Sequence, residues 1–460
     1  MIERSLVEIA TDAGADTAGL AEVAARAAVV DSRLVTGGEI FVATAGERTN
    51  GNDHAADALA RGAAGVLTDD PDRAIAGGAD RSRIISVPDV VAALGRLAKA
   101  NLALARRLGN PLVVGVTGSV GKTTTKDLLA HVLAPRGPII APPGSFNNEI
   151  GLPLTVLRAD ENTATLVVEM GADHVGNIDY LTDIAPLDIG IVLAVARAHI
   201  GGFGSLENVA RAKSELVTGI RPGGLAILNA DDPRVAAMSR LAERVTFFSA
   251  TGNGDVAARN VDLGEDGRAS FDLVIGAESA PVRLGLIGAH HVSNALAAAA
   301  CAHAAGLSAG EIAGRLDAKA ASPHRMDVWR SGDLTVIDDA YNANPDSMRA
   351  GIAALAQLGE GTKIAVLGAM LELGEGSDEE HASLGRELAD RGIDTLIAHR
   401  APALAAAAAE AGLKVREPAD LDEAHAAVIE EIAGGGTILF KGSYGSKMWA
   451  LADRLKEELC

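Results

Sequence analysis

The chain has few cysteines, few aromatic residues and no long apolar run. Its 460 residues include two cysteines, Cys301 and Cys460, and 3% aromatic residues. Two cysteines cannot form a disulfide framework, which indicates a reducing compartment. The sequence contains no run of 18 apolar residues, so no transmembrane helix is expected. The N-terminal segment MIERSLVEIATDAG lacks the apolar core of a signal peptide. We therefore expect a soluble cytoplasmic protein with no membrane insertion.

Basic residues are scarce relative to acidic ones. There are 41 Lys and Arg residues against 61 Asp and Glu residues, which gives a net charge of −20. Binding to nucleic acid without sequence preference needs a surplus of cations, so this charge argues against a nucleic-acid partner. It still allows a local basic pocket for a small anionic ligand. At roughly 150 residues per domain, the length indicates three domains.

From about residue 111 onward, short β-branched segments alternate with helical segments, which predicts an α/β fold with parallel sheets. A helix is predicted at 122–133, and residues 256–286 predict a small antiparallel insertion. The strand candidates are 112–116, 166–168, 189–193, 225–228, 334–337, 363–367, 395–397 and 437–440. The predicted domains are 1–106, 107–318 and 319–460.

A glycine-rich segment, GVTGSVGKTTT at residues 115–125, follows the first of these strands and opens the predicted helix. Such a loop turns backbone N–H groups toward phosphates, and the helix N-terminus adds positive potential. The strict phosphate-loop pattern would place glycine at position 116, where this chain has Val116. A glycine-rich turn that binds nothing is the alternative. The preceding strand, the following helix and the Lys-Thr pair favour a variant phosphate loop.

Three further residues are candidates for a site near the phosphates. Glu169 ends a predicted strand, where ligands of open α/β sheets bind. His199 follows the next strand. Taken alone, a glutamate at a strand end or a histidine in a loop is often only a solvated residue. Lys213 lies in a predicted amphipathic helix, 206–216, and its periodicity indicates a surface lysine.

Together these segments resemble the Mur ligase family, whose members are ATP-dependent ligases that build the peptide stem of peptidoglycan precursors. The similarity runs through nearly the whole chain in the family's order. The segments FNNEIG, EMGA, YNANP and MLELG resemble the branch that adds D-alanyl-D-alanine to UDP-N-acetylmuramoyl-tripeptide. The resemblance implies an N-terminal UDP-sugar-binding α/β domain, a central P-loop ATPase-like domain and a C-terminal Rossmann-like domain. Its other segments lie at 31–33, 117–124, 199–205, 210–215, 229–233, 290–294, 325–326, 338–346 and 441–443.

The resemblance also implies ATP, two Mg²⁺ ions and a carbamylated lysine as cofactors. The residues implied in catalysis are Lys122, Glu169, His199, Lys213 and Arg325. Those implied to bind the nucleotide are Gly118, Ser119, Gly121, Lys122, Thr123, Thr124, Asn294, Arg325 and Asp339. Those implied to bind the other substrates are Ser32, Asn147, Asn148, Asn342 and Asn344. The implied metal ligands are Thr123, Glu169, His199 and Lys213 as its carbamate.

The chain departs from the family pattern at several positions. Gly201 stands where many relatives have glutamate, His324 where glycine is frequent, Ala369 where aspartate is common and Tyr444 where arginine is common. None of these changes removes a residue assigned to phosphate or metal.

Two other functions fit the same motifs. One is a related amide ligase that adds a different amino acid, and the other is a P-loop ATPase that acts as a conformational switch. The ATPase would hydrolyse ATP without an acceptor, whereas a ligase should not. Because no coiled-coil repeat is present, we expect a monomer.

Overall fold

The computed structural model describes residues 1–46, 49–196, 200–318, 322–359 and 361–460. It shows three α/β domains with mainly parallel sheets, which confirms the predicted fold class. No helix in the described part of the chain is both long and apolar enough to cross a membrane.

The N-terminal domain is built on a four-stranded parallel sheet of order β3-β4-β5-β6, beside a two-stranded antiparallel pair, β1-β2. The strands are β1 (Arg4–Ser5), β2 (Ala24–Ala25), β3 (Ala27–Val29), β4 (Glu39–Ala43), β5 (Gly65–Thr68) and β6 (Ile84–Ser86). The helices are α1 (Leu6–Ala13), α2 (Ala55–Ala60), α3 (Pro71–Ala76) and α4 (Val90–Leu108). Asp89 caps α4 by accepting the backbone N–H groups of Val91 and Ala92.

The central domain contains a nine-stranded sheet of order β15-β14-β13-β12-β11-β10-β7-β9-β8. The strands are β7 (Leu112–Thr117), β8 (Ile139–Ile140), β9 (Thr165–Glu169), β10 (Leu187–Val192), β11 (Ile220–Asn229), β12 (Val245–Ser249), β13 (Val256–Leu263), β14 (Arg268–Ile275) and β15 (Glu278–Ile287). The helices are α5 (Lys122–Val132), α6 (Gly151–Val156), α7 (Asn177–Ile184), α8 (Ile200–Phe203), α9 (Leu206–Thr218), α10 (Pro233–Ala236), α11 (His291–Ala304) and α12 (Ala309–Ala313). The predicted antiparallel insertion is present as β13–β15, and it extends the main sheet because β12 and β13 pair in parallel.

The C-terminal domain has a six-stranded sheet of order β16-β17-β21-β18-β19-β20, in which only the edge strand β16 is antiparallel among the described pairings. The strands are β16 (Asp327–Ser331), β17 (Leu334–Asp338), β18 (Lys363–Gly368), β19 (Thr395–His399), β20 (Lys414–Arg416) and β21 (Gly436–Lys441). The helices are α13 (Pro345–Gln357), α14 (Ser377–Asp390), α15 (Pro402–Glu410), α16 (Leu421–Glu431) and α17 (Met448–Leu459). Short 3₁₀ helices lie at Ser32–Leu34, Gly51–His54, Arg81–Arg83, Ala134–Arg136, Ala237–Leu241, Gly374–Gly376, Ile432–Gly434 and Tyr444–Ser446.

One apolar core joins the first two domains. Buried side chains of the N-terminal domain, such as Leu6 and Leu97, belong to the same cluster as Leu166 and Leu181 of the central domain. The helix α4 continues through residue 106, the predicted domain boundary, and packs against α6 and α7. The opposite face of the central sheet packs on α5 and α11. Helices on both faces leave the carboxyl ends of the strands as the open edge where ligands bind.

Candidate active site

The phosphate-loop segment joins β7 to α5, as the sequence predicts. Gly118 and Gly121 have φ values of +155° and +83°. A Cβ atom on Gly121 would lie 2.3 Å from the side-chain oxygen of Asn294, so both the backbone and the packing require glycine there. The Nζ of Lys122 donates to the carbonyl of Gly118 at 2.7 Å. Burial lowers the pKa of Lys122, while the charge of Glu169 opposes this shift.

A cluster of polar side chains lies beside this loop. Glu169 is the last residue of β9 and pairs in register with Val116, so its carboxylate lies next to the loop. The hydroxyl of Thr123 donates to one Glu169 oxygen at 2.9 Å, and the amide of Asn147 donates to the other at 2.7 Å. The hydroxyl of Ser145 is 2.8 Å from that of Thr123. Glu169 is 1% exposed, and these partners satisfy its buried carboxylate.

Arg325 approaches the same cluster from the start of the C-terminal domain. One Nη atom donates to the hydroxyls of Thr123 at 3.3 Å and Ser145 at 3.2 Å. Its guanidinium carbon lies 4.2 Å from the centroid of the Tyr341 ring, in cation–π geometry. The Nε of Arg325 is buried and has no hydrogen-bond partner among the described residues.

The backbone on both sides of Arg325 is left-handed. His324 has φ +57° and Met326 has φ +52°, values that L-residues adopt rarely. A ring nitrogen of His324 lies 2.7 Å from the carboxylate of Asp338, which stabilises this conformation. That hydrogen bond raises the pKa of His324, and burial raises the pKa of Asp338. The family resemblance implies glycine at position 324, and the left-handed φ found there is one that glycine adopts without strain.

A buried ion pair lies at the ends of two neighbouring strands of the C-terminal domain. Asp339 follows β17, and Lys441 ends the adjacent parallel strand β21. The Nζ of Lys441 is 2.5 Å from a carboxylate oxygen of Asp339, and it also donates to the carbonyl of Asn342 at 3.1 Å. Lys441 is 2% exposed. This pair holds a carboxylate at the edge facing the central domain.

These groups line one cavity of about 550 Å³ between the central and C-terminal domains. A cavity of this size is within the range of small-molecule sites. His291 also lines it, 3.1 Å from the amide of Asn294, and its Nε2 is buried without a partner among the described residues. Burial holds the pKa of His291 well below its ordinary value, so the ring is neutral. The unsatisfied donors and acceptors of His291 and Arg325 fit a polar ligand such as a nucleotide.

Lys213 lies in the interior of the central domain. The residue is 3% exposed, so the prediction of a surface lysine is wrong. It lies four residues after Val209 and three before Leu216, both of which are buried, and the same spacing places Lys213 on the inner face of α9. Burial lowers its pKa to about 7, and the nearby charge of Lys122 adds to that shift.

The oxygen atoms of Thr123 and Glu169 fit a magnesium ion that is also held by phosphate oxygens. In the described part of the chain, no three His, Cys, Asp or Glu side chains come together as a metal site. Mg²⁺ is commonly held by one or two carboxylates together with phosphate oxygens and water. Glu169 and the hydroxyl of Thr123 supply such protein ligands at the phosphate-loop end of the cavity.

Comparison with known proteins identifies the family. Three family models match the chain in order: the Mur ligase family catalytic domain over residues 28–101, the Mur ligase middle domain over 116–302 and the Mur ligase glutamate ligase domain over 324–444. A UDP-N-acetylmuramoyl-tripeptide--D-alanyl-D-alanine ligase of Mycobacterium tuberculosis is 43% identical over 500 aligned positions, which cover 99% of this chain and 98% of the relative. The chain belongs to the Mur ligase family.

Solved structures are similar over the same length. A crystal structure of MurF from Acinetobacter baumannii is 31% identical, with a TM-score of 0.86 and coverage of 99% of each chain. MurF from Thermotoga maritima, solved in complex with ADP, is 28% identical with a TM-score of 0.78, and covers 94% of this chain and 98% of its own.

In this Mur ligase, most of the predicted site residues lie together. Those that line the cavity are Ser119, Gly121, Lys122, Thr123, Thr124, Asn147, Asn148, Glu169, Asn294, Arg325, Asp339, Asn342 and Asn344. Gly118 lies next to them and contacts Lys122. Ser32 and Lys213 are outside the set of described residues that line the cavity, and Ser32 begins a 3₁₀ helix of the N-terminal domain. His199 falls outside the described residues.

Four residues of the site had no role assigned from the sequence. Ser145 and Tyr341 contact Arg325, Lys441 pairs with Asp339, and His291 contacts Asn294. Tyr341, Lys441 and His291 lie in segments that carry the family resemblance, so their position gave a signal. Ser145 follows a Pro-Pro-Gly turn and gave no comparable signal.

Proposed function

We propose that this Mur ligase uses ATP to join D-alanyl-D-alanine to UDP-N-acetylmuramoyl-tripeptide, giving the pentapeptide, ADP and phosphate. The observation that supports this most strongly is the match to ligases of that name over 99% of the chain. The cavity agrees with the proposal, because a phosphate loop and an arginine of a second domain meet there.

The proposed reaction has two steps. A carboxylate oxygen of the tripeptide attacks the γ-phosphorus of ATP, ADP leaves, and an acyl phosphate forms. The amine of D-alanyl-D-alanine then attacks the acyl carbon, loses a proton, and phosphate leaves with the bridging oxygen. Phosphoryl transfer of this kind depends mainly on positioning and on neutralising negative charge.

The predicted catalytic, metal and nucleotide residues have separate roles in this proposal. Lys122 and Arg325 neutralise the charge that builds up on the phosphates, and Arg325 completes the site from the C-terminal domain. Mg²⁺, held by Thr123 and Glu169, would supply further neutralisation when bound, with His199 at a second ion. Lys213 would contribute as a carbamate, which turns a cation into an anion that can face Mg²⁺. Gly118, Ser119, Gly121 and Thr124 would contact the phosphates, Asn294 the adenine and Asp339 the ribose.

The proposal also assigns a separate role to each domain. Residues 1–106, with Ser32, would bind the UDP-sugar; residues 107–318 would bind ATP; and residues 319–460 would close over it. Asn147 and Asn148 would face the peptide of the acceptor, and Asn342 and Asn344 would contact substrate from the opposite side. We propose a monomer that works in the cytoplasm, where ATP and nucleotide-linked precursors are both present.

Phosphate release from Mg-ATP tests the function directly. We expect release only when UDP-N-acetylmuramoyl-tripeptide and D-alanyl-D-alanine are both present, and loss of release in Lys122→Met but not in the surface control Lys99→Met. Release that is indifferent to both substrates would favour the ATPase switch. Release with a single amino acid in place of the dipeptide would favour a different amide ligase.

A further inference from the structure

The helix that follows the phosphate loop presents three polar side chains on one face. Thr123, Lys126 and Asp127 stand at positions i, i+3 and i+4 of α5, so they are neighbours on its surface. Thr123 contacts Arg325 directly. Lys126 and Asp127 are absent from the described lining of the cavity, so they do not touch a ligand held there.

Lys126 and Asp127 form a buried ion pair. The Nζ of Lys126 lies 2.5 Å from a carboxylate oxygen of Asp127, and the two side chains are 3% and 14% exposed. The other carboxylate oxygen accepts the backbone N–H of Ser322 at 3.0 Å. The Nζ of Lys126 also donates to the carbonyl of Pro142 at 2.9 Å and lies 3.4 Å from the hydroxyl of Ser322. A buried pair with this many partners constrains the segments that it contacts.

Both segments held by this pair lead to the same contact. Three residues after Pro142 comes Ser145, and three residues after Ser322 comes Arg325, which donates to the Ser145 hydroxyl at 3.2 Å. The residues on either side of Arg325 have left-handed backbone conformations, which persist only when the surrounding structure holds them. Ser322, three residues before Arg325, is held by the ion pair through its backbone N–H and its hydroxyl.

We infer that the Lys126–Asp127 pair positions Arg325 over the phosphate loop, and so couples the central domain to the C-terminal domain during phosphoryl transfer. The pair acts as a positioning device and makes no contact with substrate. This inference rests on the proposed function, because it assigns the pair to the Arg325 step of that reaction.

Asp127→Ala removes the acceptor of the Ser322 N–H. We expect kcat at saturating substrates to fall by at least about 10-fold, because small displacements of a positioned group lower the rate strongly. The dissociation constant of ADP, measured by calorimetry, should change by less than about 3-fold, because the phosphate loop keeps its own contacts. Amide hydrogen exchange over residues 322–326 should become at least about 10-fold faster.

Two controls separate positioning from general damage. Asp183→Ala removes an exposed Lys99–Asp183 pair of the same 2.5 Å length, and should leave kcat and the exchange of residues 322–326 unchanged. If Asp127→Ala leaves Lys126 unpaired and fails to fold, the double variant K126M/D127A removes both charges and should show the same loss of kcat.

A double-mutant cycle gives the decisive result. In an Arg325→Ala background, Asp127→Ala should lower kcat by less than about 2-fold further, because the group that it positions is already gone. An equal loss in both backgrounds, or a fall in ADP affinity that matches the fall in kcat, would overturn the inference. If the unaltered protein makes no pentapeptide, the proposed function fails, while hydrogen exchange still reports whether Asp127 fixes residues 322–326.

Discussion

Lys213 offers the most informative single perturbation. Burial holds its pKa at about 7, against an ordinary 10.5 for lysine. At pH 8 about 90% of its amine is therefore neutral, compared with about 0.3% of an ordinary lysine, a difference of roughly 300-fold. Only the neutral amine reacts with CO₂, so this burial favours the carbamylation that we propose for Lys213. We expect Lys213→Arg, which keeps a cation but cannot form the lysine carbamate, to lower kcat by at least about 100-fold.

The assay follows the carbamate and the activity together. Protein exchanged into ¹³C-bicarbonate should show one carbamate carbon signal that is absent from Lys213→Arg. Activity measured in CO₂-depleted buffer should fall and return when bicarbonate is added. The matched control is Lys99→Arg, since Lys99 is an exposed lysine in a surface ion pair.

Two results would refute this reasoning. Full activity of Lys213→Arg would show that no carbamate is needed at this position. A carbamate signal that persists in Lys213→Arg would assign the modification to another amine.

The remaining predictions concern the cavity and the stability of the chain. Arg325→Ala should lower kcat by at least about 100-fold while the melting temperature changes by less than about 3 °C, because Arg325 makes few hydrogen bonds to the protein. A loss of kcat that is accompanied by a large fall in melting temperature would argue against its role in phosphoryl transfer. Glu169→Gln should raise the Mg²⁺ concentration for half-maximal activity by about 10-fold or more, and an unchanged Mg²⁺ titration would exclude it as a ligand. Gly121→Ala should weaken ATP binding by at least about 10-fold, because its φ is +83° and the new Cβ would meet Asn294; normal affinity would contradict this. The pKa of Lys213 is lower in the folded state than in the unfolded chain. The unfolded state therefore binds more protons between about pH 7 and pH 10.5. In that range the contribution of Lys213 makes the free energy of unfolding rise with pH. Lys213→Met should reduce the rise of stability with pH in denaturant titrations, and an unchanged pH dependence would contradict this.

The sequence predicted the sheets well where strands are buried and long. Each of the eight predicted strands overlaps a strand of the structure, although the prediction of 189–193 runs one residue past the end of β10, and the phosphate loop joins β7 to α5. Four strands outside the N-terminal domain were not predicted: β8, β12, β16 and β20. Two of these, β8 and β20, have two and three residues, which is too short for a hydrophobic pattern to be recognised. The pairing of β12 with β13, which merges the insertion with the main sheet, depends on long-range contacts that no local pattern specifies.

Some residues of the site were predicted from local sequence patterns, and others only from the family resemblance. The phosphate loop and Glu169 follow directly from their position at strand ends. Arg325 and Asp339 came only from the family resemblance, because the approach of the C-terminal domain to Thr123 is a tertiary property. The buried position of Lys213 could have been found, since its spacing from apolar neighbours places it on the inner face of α9.

The decisive step of the proposed reaction is activation of the carboxylate of a UDP-linked peptide as an acyl phosphate. The most direct test labels both oxygens of that carboxylate with ¹⁸O and analyses the products by mass spectrometry. An acyl-phosphate intermediate predicts one ¹⁸O atom in each phosphate released. It also predicts a product heavier than the labelled tripeptide by one D-alanyl-D-alanine less one labelled water. Unlabelled phosphate, or phosphate formed without a ligated product, would contradict it.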